Sequence, residues 1–223
     1  KLQNPDISHK VVSVAIPEGY NVFDIAKTLE ENQICSAKDF YAAVSTTEGY
    51  DYDWLADFPS DRSHIGFILE GFLFPATYDF SMNSDAKVIV DKMLAAFDDR
   101  LSDKITAYCK ENNMSLYQFI TLCSVVQEEA LSEDSAANIA SVLINRLNKG
   151  SKLQCDVTYF YAKKLLDYGF SRDTYDSYYT YVNAVINHPD TNYLYFFSDL
   201  QGGFHFAATG QEFEQLKQKY PWK

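Results

Sequence analysis

Residues 116–130 constrain this chain more than any other stretch. Ser115-Leu116-Tyr117-Gln118 has the form of a capping box, so a helix is expected to start near Leu116. At about 100° per residue, Phe119, Leu122, Cys123, Val126 and Ala130 then fall on one apolar stripe. Glu129 lies at the edge of that stripe, over Leu122 and Val126. Glu128 points away, beside Thr121 and Ser124, on the expected wet face, and Gln127 lies on the other flank near Ile120 and Cys123. A carboxyl set into an apolar face has a raised pKa, because burial disfavours its charged form. That is how a glutamate holds a donatable proton near neutral pH, and it makes Glu129 the acid candidate. Periodicity by itself favours a plainer alternative, an amphipathic helix ending in solvated glutamates.

Composition sets the remaining bounds. A chain of 223 residues holds one large domain or two smaller ones, and 47% hydrophobic residues with only 6 Pro and 9 Gly allow a sizeable core. The net charge of −12 argues against nucleic acid and against electrostatic docking on anionic lipid, while a glycan remains compatible. Tyrosines (17) and phenylalanines (16) are abundant and their faces suit sugar rings, although most such rings serve as core. Cys35, Cys109, Cys123 and Cys155 form no CxxC pair and no cluster with histidine, so zinc spacing is absent and nothing calls for a disulfide. Cys109 and Cys123 sit in helical patterns and read as small buried hydrophobes. No apolar run of about 18 residues is present. The start at Lys1 without a signal peptide reads as a trimmed ectodomain.

Residues 10–46 read as a small unit. Val12, Val14 and Ile16 alternate as in a strand, Pro17-Glu18-Gly19 turns the chain, Asn21 with Asp24 caps a helix through Glu31, and Ser36 caps a second helix carrying Phe40, Tyr41 and Val44. With a returning strand this is the outline of a LysM-like βααβ module, or of a generic cap on the next domain. Trp54, Leu55 and Phe58 are expected to pin a connecting segment. Ser84 is read as the cap of one long helix with Ile89, Met93, Phe97, Leu101 and Ile105 in a near-heptad stripe through Tyr108. After the Glu129 helix comes another from about Ser135 to Asn148, stopped at Gly150. Residues 152–161 read as a loop or strand, and residues 173–186 are crowded with tyrosine. Tyr193 to Phe197 reads as a buried strand, Gly202-Gly203 as a hairpin turn, Phe204-His205-Phe206 as its partner, and Thr209 with Glu212 as a last capping box.

Nucleophilic triads fare badly, because His9, His64, His188 and His205 are scattered and no serine lies in a G-x-S-x-G elbow. HExxH, GxGxxG and P-loop patterns are absent. What remains is a carboxylic acid with polar neighbours. Such a group does proton transfer, and glycoside cleavage is its natural home.

Several motifs occur in order along the chain: Ile16-Pro17-Glu18-Gly19 with Ile25-Ala26; Leu69-Glu70-Gly71-Phe72-Leu73-Phe74-Pro75; Ser124 to Glu129; Ala140 to Leu147; and Leu153-Gln154-Cys155-Asp156-Val157-Thr158. Tyr193-Leu194-Tyr195-Phe196 and Gly202-Gly203 close the set. By these the chain resembles the MltG, or YceG-like, family of endolytic murein transglycosylases. The resemblance implies cleavage of the MurNAc–GlcNAc β-1,4 bond of peptidoglycan. The family's catalytic glutamate, the second acidic position of a Glu-Lys-Glu run, falls on Glu129. That residue would act first as general acid on the glycosidic oxygen and then as base on the MurNAc 6-hydroxyl, leaving a 1,6-anhydro end. One carboxyl serves both steps because the nucleophile is part of the substrate. The resemblance calls for neither metal nor organic cofactor. It also implies an anchor upstream of Lys1, a place on the extracytoplasmic face of a bacterial membrane, and partnership with peptidoglycan synthases of the penicillin-binding class.

The expected architecture is α+β. A LysM-like unit and connecting segment cover residues 1–80, and a mostly helical catalytic domain with a small antiparallel sheet covers residues 81–223. Substrate-binding candidates are Glu70, Gln127, Asn145, Gln154, Asp156, Thr158, Tyr161 and Tyr178. Glu70 is either a cleft acid, the favoured reading, or a satisfied structural carboxylate. Asn145 and Arg146 either orient the acid or tie their helix down, with the tie favoured. Tyr161 and Tyr178 are stacking faces or core rings, and His205 reads as structural. Three departures from the family pattern stand out: Gln127 replaces the first Glu, Val157 replaces a proline, and Tyr178 runs almost directly into Tyr181 where the family has a Gly-Leu-Pro-Pro-type loop. The last favours an alternative function, a catalytically impaired protein that binds or scaffolds peptidoglycan.

Overall fold

The computed structural model describes residues 10–62, 65–130, 132–169 and 189–222. They are α+β and divide into two compact units. The first comprises the residues up to Ala56 together with Phe67–Leu101, and the second Asp57–Gly66 with the chain from Ser102 onward. The division thus falls near residue 101, where the sequence suggested 80.

The first unit begins with β1 (Val11–Ile16), whose Val14 and Ile16 are buried while Val11 faces solvent. Helices α1 (Val22–Glu31) and α2 (Ala37–Val44) follow, and β2 (Ala76–Ser81) returns antiparallel to β1, with Val11 opposite Ser81 and Ile16 opposite Ala76. This is the expected βααβ order. Its caps are those read from the sequence: Asn21 and Asp24 form a reciprocal capping box, and the Ser36 hydroxyl accepts from the Asp39 N–H. Trp54 donates from Nε1 to Asp98 Oδ1 at 2.9 Å, stacks on Phe72 at 5.4 Å and meets Phe97 edge-on, so the connecting segment is pinned as expected.

The single long helix expected from Ser84 is two helices in the structure. α3 (Ala86–Asp98) is capped by Asp85, whose side chain accepts from the Lys87 N–H, while the Ser84 hydroxyl is spent on the Ser81 carbonyl. The chain then leaves helical geometry, and α4 (Asp103–Glu111) starts anew after Ser102, which is extended at φ −83° and ψ 154°. A heptad stripe runs through both helices and hides the break, because serine and aspartate favour caps over helix interiors.

In the second unit, α5 (Leu116–Glu129) is the centre, packed on α4, α6 (Glu133–Asn148) and α7 (Asp156–Asp167). Its Ser115–Gln118 capping box forms in both directions. Nine of its residues are buried, which makes it apolar nearly all round rather than amphipathic. Ser124, expected on a wet face, is fully buried, and its hydroxyl donates to the Ile120 carbonyl at 2.8 Å. α6 begins earlier than expected, after a Ser132–Ser135 capping box. α7 replaces the loop or strand expected over residues 152–161. The hairpin is as read: β3 (Tyr195–Ser198) pairs antiparallel with β4 (Phe204–Ala207), and α8 (Gly210–Lys219) follows its Thr209 cap. Gly202 takes a left-handed φ of 84°, which is what the turn asks of a glycine there. Cys109 and Cys123 are buried thiols, as expected.

Candidate active site

Glu129 is the last residue of α5, and Ala130 beyond it turns extended. The helix places this carboxyl against the start of α7. Cys155 is the N-cap residue of α7 but gives it no side-chain cap, and while the Thr158 N–H donates to the Cys155 carbonyl, the Val157 N–H is left to the Glu129 carboxyl. The Val157 N–H and the Cys155 thiol approach the Glu129 carboxyl and favour its charged form, as does the Arg146 guanidinium. Burial works the other way and is the largest influence, with the Asp156 charge adding to it, so the Glu129 pKa is raised from its ordinary value. Oε1 is sealed from solvent and has no hydrogen-bond partner among the described residues. A sheltered, unpaired carboxylate oxygen is costly, and a proton relieves that cost. The same contact pushes Cys155 up to about 12, through burial first and the Glu129 charge second, so its thiol stays protonated.

The residues around the acid are held from α6. Arg146, 9% exposed, donates from Nε to the Leu194 carbonyl at 2.7 Å and from Nη1 to the Leu153 carbonyl. Asn145 donates to the carbonyls of Thr191 and Tyr193, each at 2.9 Å. Both residues therefore tie α6 to its neighbours, the role favoured for them. Gln154, exposed, adopts a left-handed φ of 54° and turns the chain into α7.

The other candidates separate. Asp156 is exposed at the first position of α7, beside Glu129. The Thr158 hydroxyl donates to the Cys155 carbonyl at 2.7 Å, bracing the same turn. Gln127 is half-buried and Glu128 exposed in the last turn of α5. Tyr161 is only 8% exposed, which makes it a core ring. Glu70 is 3% exposed in the first unit, and both its carboxylate oxygens accept from the Val22 N–H at 3.1 Å. It serves as a cap on α1, so the cleft reading gives way to the structural one. His205 pairs with Asp199 at 2.8 Å and stacks on Tyr220, again a structural part. Tyr178 and the shortened 178–181 stretch lie outside the described residues. Sequence reasoning missed Cys155 as a neighbour of the acid. Its place in the Leu153-Gln154-Cys155-Asp156 motif was the available signal. Among the described residues no group of three or more His, Cys, Asp or Glu side chains is arranged to hold a metal, and no helix is long and apolar enough to cross a membrane.

The described residues thus form an α+β chain with a sheltered glutamate of raised pKa at the end of a buried helix. The YceG-like family profile matches residues 1–219, and the chain belongs to that family. The endolytic murein transglycosylase of Bacillus subtilis strain 168 is 30% identical over 236 residues, covering 93% of this chain and 64% of that protein. The endolytic murein transglycosylase of Streptococcus pneumoniae serotype 2 is 28% identical over 239 residues, covering 91% of this chain and 43% of that protein. The chain thus spans between two fifths and two thirds of the length of these curated relatives. A crystal structure of a YceG-like protein from Listeria monocytogenes superposes with a TM-score of 0.74 at 26% identity, covering 92% of this chain and 76% of that one.

Proposed function

We propose that this chain is a peptidoglycan lytic transglycosylase whose acid is Glu129. The observation that carries the reading is the sealed, unpaired Oε1 of a carboxyl with a raised pKa, in a chain whose relatives are named endolytic murein transglycosylases. In the first step the Glu129 proton passes to the glycosidic oxygen as the bond from MurNAc C1 to that oxygen breaks, releasing GlcNAc with a free hydroxyl. In the second, the Glu129 carboxylate takes the proton of the MurNAc 6-hydroxyl, and that oxygen bonds to C1 to close the 1,6-anhydro ring. The carboxyl ends as it began, protonated, and no water is consumed. Hydrolysis would instead usually call on a second carboxylate. Asp156 is the carboxylate whose charge acts on Glu129 through space, but it is exposed.

Gln154, Asp156 and Thr158 are proposed to meet sugar at the rim of the site, with Gln127 on the opposite flank of α5. The same reading puts the protein at work on the extracytoplasmic face of the membrane, beside peptidoglycan synthases. Incubation with purified glycan strands, read by mass spectrometry, tests the chemistry. Anhydro-ended fragments are expected, reducing MurNAc ends would make the protein a hydrolase, and intact strands would make it a binding or scaffolding protein.

A further inference from the structure

An opening lies in the same unit as Glu129. It has a volume of about 350 Å³, at the lower end of the range of about 300–1,000 Å³ usual for ligand sites. All eleven residues that line it are uncharged, although the chain as a whole is 22% charged and the opening is exposed. Its polar groups are largely carboxamides. Asn113 and Asn148 are exposed and bond through their side chains to nothing among the described residues. Gln118 uses its Oε1 on the Ser115 N–H, which leaves its amide NH2 for another partner. Leu147, 47% exposed, supplies an apolar edge.

The opening runs toward the acid. Gln118, Leu122 and Val125 line it, and with Glu129 they form an i, i+4, i+7, i+11 row on one face of α5. By helix rise, Val125 and Gln118 stand about 6 and about 16 Å along the axis from Glu129. The opposite wall converges on the same point. Leu153 lines the opening, its carbonyl is held by Arg146, and two residues later Cys155 meets the Glu129 carboxyl. Amide groups that both donate and accept, an apolar edge and no charge match a hydroxyl-rich, N-acetylated neutral sugar. A charged stem peptide would find no counter-charge here.

We propose that this groove is a sugar subsite, holding the arm of the glycan strand that extends from the bond at Glu129 back along α5. The inference rests on the reading of Glu129 as the acid that cuts the strand.

Binding without turnover tests it. In the Glu129→Gln chain, affinity for peptide-free glycan strands is measured by calorimetry before and after two changes. Asn113→Gly with Asn148→Ala removes both unclaimed carboxamides, and glycine suits the left-handed φ of 50° at position 113. Asn148→Trp fills the groove instead. The double change is expected to weaken binding about tenfold, the loss of two neutral hydrogen bonds, and the tryptophan at least as much by excluding the sugar, each with its melting transition kept. Unchanged affinity in both variants overturns the proposal, as does competition by isolated stem peptide that matches competition by strands. Strand binding that depends on the groove in a protein that forms no anhydro ends would sink the acid reading and keep the subsite. Strand cleavage by the unmutated chain, with groove variants that bind as their parent does, would sink the subsite and keep the acid.

Discussion

Glu70 and Glu129 are both withdrawn from solvent, and each sits at the edge of an apolar stretch. Their surroundings differ in one respect. Glu70 receives a backbone N–H on both oxygens at the start of α1, where its negative charge also suits the helix dipole. Glu129 lies near the start of α7 yet leaves Oε1 with no partner among the described residues. Shelter alone therefore does not mark a reactive carboxyl. Shelter with an unfilled hydrogen-bonding place is what singles out Glu129 as the proposed acid, because that place is where a proton is worth most.

Mutation separates the two glutamates. Glu129→Gln is expected to lower strand cleavage about a thousandfold, the scale of a lost general acid, while circular dichroism stays that of the parent. Retained cleavage would erase the distinction. Glu70→Ala should do the reverse, costing about 2–3 kcal/mol in urea unfolding, since a charged acceptor is removed from a buried N–H. Cleavage by the protein that remains folded keeps the parent's pH profile.

The pH dependence sharpens the contrast. The Glu129 pKa is raised above 4.5, so its proton is held further up the pH scale than an ordinary glutamate's, and cleavage is expected to fall as the pH rises past that folded value. The same shift has a sign for stability. A raised folded pKa contributes stability that is complete below the unfolded value and lost as the pH climbs through the folded one. Glu129→Gln should therefore melt higher than the parent at pH 8 and converge with it in acid. A smaller effect is expected at the hairpin. The Asp199 pKa is lowered, by the His205 hydrogen bond first and the Gly203 N–H next, so its contribution is present above the unfolded value and lost as the pH falls through the folded one. Asp199→Asn should lower the melting temperature slightly at neutral pH and make no difference in strong acid.

Much of this was legible in the chain itself. The boxes at Asn21 and Ser115 and the Gly202-Gly203 hairpin follow from contacts within a few residues, and local chemistry of that kind is written in order along the sequence. α7 was not legible. Val157, Thr158, Tyr159, Phe160 and Tyr161 are residues that favour strands, and packing against α5 overrides that preference. With α7 unseen, the meeting of Cys155 and Val157 with Glu129 could not be read, and neither could the groove along α5. Glu70 was misjudged for a similar reason, since its partner lies 48 residues earlier.

The burial of α5 on nearly every side bears on how the acid can behave in time. Amide hydrogens in that helix should exchange with deuterium only through global unfolding, while those of α8, which has no buried side chain, should exchange through local fraying. On the proposed function, the proton donor would then sit on the slowest-exchanging helix of its unit. Adjustment to a stiff polymer would then fall to the polymer and to the softer rim, and the protein would wait for the right sugar pucker without reshaping itself to induce one.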